Sequence, residues 1–176
     1  MRAFAELLDR LILTPGRNAK LDALAHYFAT TPDPDRGYAL AAITGDLSFA
    51  YAKPAPIRAL AQERVDPILF DLSRDYIGDM AETIALIWPA KGGANRSPLL
   101  SEVVEELQRA SKLDAPRLIE RWLDGLDANG RWALIKLVTG ALRIGAGARL
   151  AKQGLAQYGG KPIADIEEIW HGLRPP

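Results

Sequence analysis

Apolar side chains recur along most of this 176-residue chain at spacings of three and four residues. In the first such stretch they occupy five positions of one helical face: Phe4, Leu7, Leu8, Leu11 and Ile12. Because an α-helix turns once in 3.6 residues, this spacing predicts an amphipathic helix with one buried face. No stretch shows the convincing alternation of a half-buried strand. The pattern predicts an all-α fold, a single compact domain of about ten short helices.

Proline, glycine and acidic residues predict where these helices begin and end. Asp33 is expected to cap a helix that starts at Pro34, because aspartate accepts hydrogen bonds from free amides and proline suits the first turn. Asp114 is expected to cap a later helix in the same way. Residues 76–88 are expected to form one helix, which a glycine-containing loop at residues 91–95 closes.

Residues 142–157 predict a helix, a tight turn and a second helix. Gly145 and Gly147 lie in the turn, where glycine permits φ > 0 and lets another backbone come close. The second helix begins with unpaired amides that carry a partial positive charge. Three basic residues flank the turn: Arg143, Arg149 and Lys152. This corner therefore suits a phosphate group of a nucleic-acid backbone.

The basic residues of this region are not interrupted by acidic ones. Between positions 128 and 164 the chain has no Asp or Glu and six basic residues: Arg131, Lys136, Arg143, Arg149, Lys152 and Lys161. The whole chain balances 22 basic against 22 acidic residues. A neutral protein that gathers positive charge in one segment is expected to present it on one face, where it attracts an anion. The alternative interpretation is a solvated basic helix pair.

The Ile-Gly pair of the corner occurs a second time. Ile77 and Gly78 precede a helical run, as Ile144 and Gly145 do. If both turns present helix amides, they could hold a duplex backbone at two points. The first copy is acidic, however, so Asp79 and its neighbours could instead stabilise the start of the helix through its dipole.

The sequence contains no recognisable active site. There is no cysteine, which excludes disulfides and thiolate metal ligands, and His26 and His171 lie far apart. Lys20 and Lys112 each precede Leu-Asp-Ala, which is close to the Lys-x-Asp-Gly of nucleotidyl-transfer sites but has alanine in place of glycine. No dinucleotide fingerprint or Walker loop occurs. We expect a non-catalytic chain without a metal or cofactor of its own.

The expected location is the cytoplasm. Charged residues interrupt the apolar pattern of the first ten positions, unlike a signal peptide. No uninterrupted run approaches the roughly 20 apolar residues of a membrane span.

Four stretches have residue patterns that are more specific than helical periodicity: residues 1–10, 33–42, 75–83, and 142–145 with 149–152. The most distinctive are Tyr-x-Gly-Asp-x-Ala-Glu-Thr, which begins at Tyr76, and Leu-Arg-Ile-Gly, which begins at Leu142. Together they resemble the N-terminal DNA-binding domain of bacterial ATP-dependent DNA ligases over essentially the whole chain. The resemblance implies a helical DNA-binding domain at residues 1–170 and the start of a linker at residues 171–176.

In that family the domain contacts the minor groove and the sugar-phosphate backbone on both sides of a nick without reading sequence. The resemblance therefore implies binding of nicked double-stranded DNA through turns at residues 77–80 and 144–148. Combined with the charge pattern, it gives ten expected DNA-contacting residues: Ile77, Gly78, Asp79, Lys136, Arg143, Gly145, Ala146, Gly147, Arg149 and Lys152.

A full ligase of this family continues into an adenylyltransferase domain, whose lysine takes AMP, and an OB-fold domain. Neither occurs in these 176 residues. The resemblance implies a piece of a longer enzyme that acts as a monomer, uses ATP and Mg²⁺, and seals DNA in replication, repair and recombination.

Two alternative functions remain open at this point. A DNA-repair glycosylase of the helix-hairpin-helix type also holds DNA backbone with glycine turns, but needs a catalytic Asp or Lys beside a base pocket. A helical protein-interaction module with an acidic partner would use the same basic segment without responding to DNA.

Overall fold

The computed structural model describes residues 1–89, 96–140 and 142–173, and all regular secondary structure in these ranges is α-helical. Eleven helices occur there: α1 (Arg2–Leu13), α2 (Arg17–Thr30), α3 (Asp35–Thr44), α4 (Pro54–Arg64), α5 (Pro67–Ile77), α6 (Met80–Ile87), α7 (Leu100–Arg109), α8 (Asp114–Gly125), α9 (Ala128–Thr139), α10 (Ala148–Gly159) and α11 (Ile163–Trp170). The all-α prediction is confirmed. The predicted loop at residues 91–95 and the end of the predicted linker, residues 174–176, lie outside the described residues.

The chain divides into two compact units by its internal contacts. Unit 1 comprises Met1–Ala5 and Phe49–Ala141, and unit 2 comprises Glu6–Ser48 and Leu142–Pro176. The boundary near the N-terminus falls within α1. Neither unit is a continuous stretch of sequence.

Unit 1 is held together by a buried arginine as well as by apolar packing. Arg131 on α9 is 9% exposed and donates hydrogen bonds to the carbonyl oxygens of Leu123, at 2.8 Å, and Trp88, at 3.2 Å. Trp88 in turn donates its indole N–H to Asp124, which also pairs with Arg64 at 3.1 Å. Burial lowers the pKa of the Arg131 guanidinium. This side chain serves the interior and adds nothing to a basic surface.

Unit 2 is organised by the close packing of α2 against α10. Gly154 of α10 lies so near α2 that a Cβ at this position would be 2.7 Å from the Cβ of Leu24. Leu24 and Phe28 are both fully buried in this contact region. The absence of a side chain at Gly154 is what allows the two helices to approach this closely.

Two of the predicted helix caps are wrong. Pro34, not Asp33, is the N-cap of α3, since the helix begins at Asp35 and the Pro34 carbonyl accepts from the Tyr38 amide at 3.0 Å. The Asp33 carboxylate lies instead 3.8 Å from the guanidinium of Arg36. The N-cap of α8 is Leu113, and Asp114 is the first helical residue. The Asp114 carboxylate accepts instead from the hydroxyl of Ser111.

The single helix predicted at residues 76–88 is also wrong, since two helices meet there. Gly78 has φ +79° and ends α5 in the left-handed conformation. Asp79 follows as the N-cap of α6 and accepts from the amide of Glu82 at 2.9 Å. A left-handed glycine followed by a capping aspartate ends one helix and starts another.

Candidate nucleic-acid interface

The corner predicted at residues 142–148 is formed within unit 2. Ile144 is 1% exposed and anchors the turn in the interior, while Gly145 has φ +65°. Gly147 is the N-cap of α10 and, having no side chain, forms no capping hydrogen bond. The first turn of α10 contains no acidic residue. The amides at this helix start therefore face no competing side-chain acceptor from their own cap.

Lys20 of α2 fixes the conformation of the turn. Its ammonium donates a hydrogen bond to the carbonyl oxygen of Gly145 at 3.0 Å. A Cβ on Gly145 would clash with the same Nζ atom. The lysine of the first Lys-Leu-Asp-Ala stretch is thus a positioning residue for the turn.

Further polar contacts join α2 and α10 beside the corner. Arg17 donates to the side-chain oxygen of Gln153 at 2.7 Å, and Gln157 donates to Asp22 at 2.9 Å. These contacts and the packing at Gly154 hold α10 against α2. The corner is therefore supported on a helix pair rather than on a free loop.

The positive charge at the corner comes from both helices. Arg143 and Arg149 are exposed, and neither forms an ion pair within the described residues. Arg17 is the first residue of α2, and it lies beside the start of α10 although 132 positions separate it from Arg149 in the sequence. Arg17 carries no signal of this role in the sequence, because only the tertiary fold brings it to this place.

Arg17 and Arg149 lie on the wall of an open surface cavity of about 630 Å³. Its lining combines two arginines with the first turn of α10: Arg17, Gly147, Ala148, Arg149, Leu150 and Gln153. No Asp or Glu contributes to this lining. A cavity with guanidinium groups and helix-terminal amides on its wall favours an anion of the size of a phosphate group or a run of phosphates.

Lys152 lies one turn further along α10 and contacts an aromatic ring. Its Nζ is 4.5 Å from the ring centroid of Trp170 on α11, a cation–π geometry. Lys161 is exposed beyond the end of α10. Lys152 is therefore partly engaged within unit 2, whereas Arg143 and Arg149 are directed to solvent.

The second predicted corner, at residues 77–80, lies in unit 1, and its helix start carries an acidic residue. The Asp79 carboxylate already accepts the Glu82 amide and forms an ion pair with Lys136 at 2.5 Å. Partial burial raises the pKa of Asp79, but the hydrogen bonds from Lys136 and the backbone outweigh it and hold the pKa below its ordinary value. A carboxylate thus occupies the helix start to which a phosphate would bind. The DNA contacts expected of Ile77, Gly78, Asp79 and Lys136 stay predictions.

The six basic residues of positions 128–164 divide between the two units. Arg131 is buried and Lys136 is paired with Asp79, both in unit 1, whereas the other four belong to unit 2. The structure places five of the expected DNA-contacting residues together at the turn and the start of α10: Arg143, Gly145, Ala146, Gly147 and Arg149.

No protein-family model matches this sequence, and no curated protein shows significant similarity to it. Among the described residues, no group of three or more His, Cys, Asp or Glu side chains could hold a metal ion. None of the described helices combines the length and the apolar character needed to cross a membrane. The fold and the site define an all-helical protein of two compact units with an arginine-lined helix–turn–helix corner in unit 2.

Proposed function

We propose that this chain binds nicked duplex DNA without sequence preference, with the corner of unit 2 against the sugar-phosphate backbone. The observation that carries the proposal is the start of α10, where amides without a side-chain cap open into a cavity lined by Arg17 and Arg149. Guanidinium groups and helix-terminal amides bind phosphate oxygens, and neither distinguishes one base from another. Binding of this kind follows the backbone rather than the sequence.

The same proposal gives the chain a place in DNA ligation. Its resemblance to the N-terminal domain of bacterial ATP-dependent ligases favours a role in positioning a nick for an adenylyltransferase domain that uses ATP and Mg²⁺. The chain itself would then be non-catalytic. A second DNA contact at residues 77–80 belongs to this proposal but has less support, because Asp79 and Lys136 already satisfy one another.

Salt dependence of DNA affinity tests the proposal directly. If the chain neutralises about five phosphates, log affinity should fall with log salt at a slope of about −4 to −5. Fluorescence anisotropy with a labelled nicked duplex, and with the same duplex intact, would give this slope for the full chain. Preferential binding of the nicked duplex would support the ligase role over a general basic patch.

A charge-reversed variant locates the interface. Arg143→Glu combined with Arg149→Glu should weaken binding and flatten the salt slope by about two units, because two phosphate contacts are lost. Arg109→Glu combined with Arg117→Glu makes the same change in net charge on exposed positions of unit 1 and should retain the slope. Equal effects of the two variants would show that only net charge matters. Failure of the wild-type chain to bind either duplex at low salt would refute the proposal.

A further inference from the structure

Helix α5 of unit 1 exposes most of its large apolar side chains. Ile68 is 71% exposed, Leu69 52%, Leu72 65% and Tyr76 93%. Phe70 is the one residue of this helix that is buried. An isolated exposed leucine is ordinary, but four large apolar residues on one short helix form a continuous stripe. We call these four side chains the α5 stripe.

The size of the α5 stripe matches the centre of a protein interface. From the exposed fractions, its four side chains present on the order of 500 Å² of apolar surface, near the upper end for the largest patch on a monomer. A standard interface buries about 800 Å² on each partner, with an apolar centre and a polar rim. The stripe is large enough to form the apolar centre of such an interface, and the polar residues around it would form the rim.

The spacing of the stripe favours a helix as its partner. Ile68, Leu72 and Tyr76 are four residues apart, so they form one ridge along the surface of α5. A second helix packs its own ridge of apolar residues into the grooves beside such a row. Peptide helices are recognised in this manner through apolar residues three and four positions apart.

The charge around the stripe selects the chemistry of that helix. Helix α5 and its N-cap carry three acidic residues, Asp66, Asp71 and Asp75, and one basic residue, Arg74. Asp71 is paired with Arg58 at 2.6 Å, whereas Asp66 and Asp75 are exposed. Asp75 directly precedes Tyr76, and Asp66 caps the helix by accepting from the amide of Ile68. The exposed charge at both ends of the stripe is therefore negative, and two copies of it would repel one another.

We propose that the α5 stripe is a docking site for an amphipathic helix of a partner protein, apolar on one side and rimmed by Lys or Arg. Leucine-like side chains would pack between Ile68, Leu72 and Tyr76, and the basic rim would lie near Asp66 and Asp75. This interaction is separate from the anion-binding corner at the start of α10, because it uses unit 1 and the opposite sign of charge. The chain would then hold an anion with unit 2 and a basic helix with unit 1.

Two synthetic helical peptides test the proposal. Both are 15 residues long with leucine at every third or fourth position, and one has lysine at the flanking positions where the other has glutamate. The lysine peptide should bind the full chain with a micromolar dissociation constant in a calorimetric or anisotropy titration, and the glutamate peptide should bind at least tenfold more weakly.

Substitutions on the chain separate the stripe from general charge attraction. Leu72→Gln should weaken binding of the lysine peptide at least tenfold. Leu113→Gln, at a position that is 77% exposed elsewhere in unit 1, should leave the affinity for this peptide unchanged. DNA affinity should be the same in both variants. Unaltered peptide binding by Leu72→Gln would overturn the proposal. So would a concentration-dependent dimer that Leu72→Gln abolishes in sedimentation experiments, because the stripe would then belong to a second copy of the chain.

Discussion

Replacing Gly154 by alanine tests whether the packing of α2 against α10 supports the corner. The new Cβ would lie 2.7 Å from the Cβ of Leu24 and 3.5 Å from a ring carbon of Phe28. The Leu24 Cβ is bonded directly to the backbone of α2, so only a movement of a helix relieves the clash. Overpacking of this kind costs about 1–3 kcal/mol, and the better helix propensity of alanine offsets up to about 1 kcal/mol. We expect a net loss of about 1–2 kcal/mol in the free energy of unfolding.

The same helix offers a matched control at Gly159. This residue is exposed, and a Cβ there would meet only the side chain of Lys161, at 3.8 Å. Because it is the last residue of α10, Gly159→Ala gains part of the helix propensity without any clash. Its expected effect is neutral or a stabilisation of about 0.5 kcal/mol. Both substitutions replace glycine by alanine, but only Gly154→Ala should lower the free energy of unfolding.

Urea denaturation followed by circular dichroism measures both variants, and amide hydrogen exchange assigns the effect to a part of the chain. Gly154→Ala should accelerate exchange in α2 and α10 and weaken DNA binding, because the start of α10 shifts with the helix. Gly159→Ala should do neither. Equal stability of the two variants would show that the tight approach of α2 and α10 does not govern the stability of unit 2, and the reasoning would fail.

Three other substitutions give separate tests. Gly145→Ala should cost about 1–2 kcal/mol of unfolding free energy, because alanine is strained at φ +65° and its Cβ displaces the Lys20 ammonium. In the double variant Gly145→Ala with Lys20→Met, the loss of unfolding free energy should be smaller than the sum of the two single losses. Additive losses would show that Gly145 and Lys20 are not coupled. Asp79→Asn should destabilise unit 1 at pH 7. Since the pairing with Lys136 depresses the folded-state pKa, this difference should shrink as the pH falls below about 4, and a pH-independent difference would contradict the assignment. Ile144→Ala should cost about 2–4 kcal/mol in urea denaturation, and a negligible loss would mean that the turn has no anchor.

Most helices could be predicted from the sequence because their signals are local. A repeat of apolar residues and a nearby capping group lie within a few positions of each other, as with Asp127, which accepts from the Gly130 amide at 2.8 Å. The errors arose where two local signals competed. At residues 76–88 the apolar pattern continues across Gly78, but the left-handed glycine and the Asp79 cap end one helix and begin the next.

The candidate site was predictable only in its contiguous part. Arg143, Gly145 and Arg149 stand close together in the sequence, so the corner follows from their spacing. Arg17 and Lys20 are brought to the corner by the packing of α2 on α10. Their partners are more than 120 positions away, and the periodicity of a single sequence contains no information about such distant contacts. The sequence also gives the same charge to Arg143, which is exposed, and to Arg131, whose guanidinium is buried against backbone carbonyls.

The route of the chain through its two units has a consequence for how the molecule is made. Unit 2 consists of two segments with roughly 90 residues of unit 1 between them, so α10 reaches α2 only after that stretch has been synthesised. Closing a loop of this length rather than a tenfold shorter one costs about 2 kcal/mol in chain entropy and slows the search for the contact. A fragment ending anywhere before α10 therefore leaves α2 with its apolar side uncovered. On the ribosome, unit 2 should be the last part of this chain to become protected from proteases.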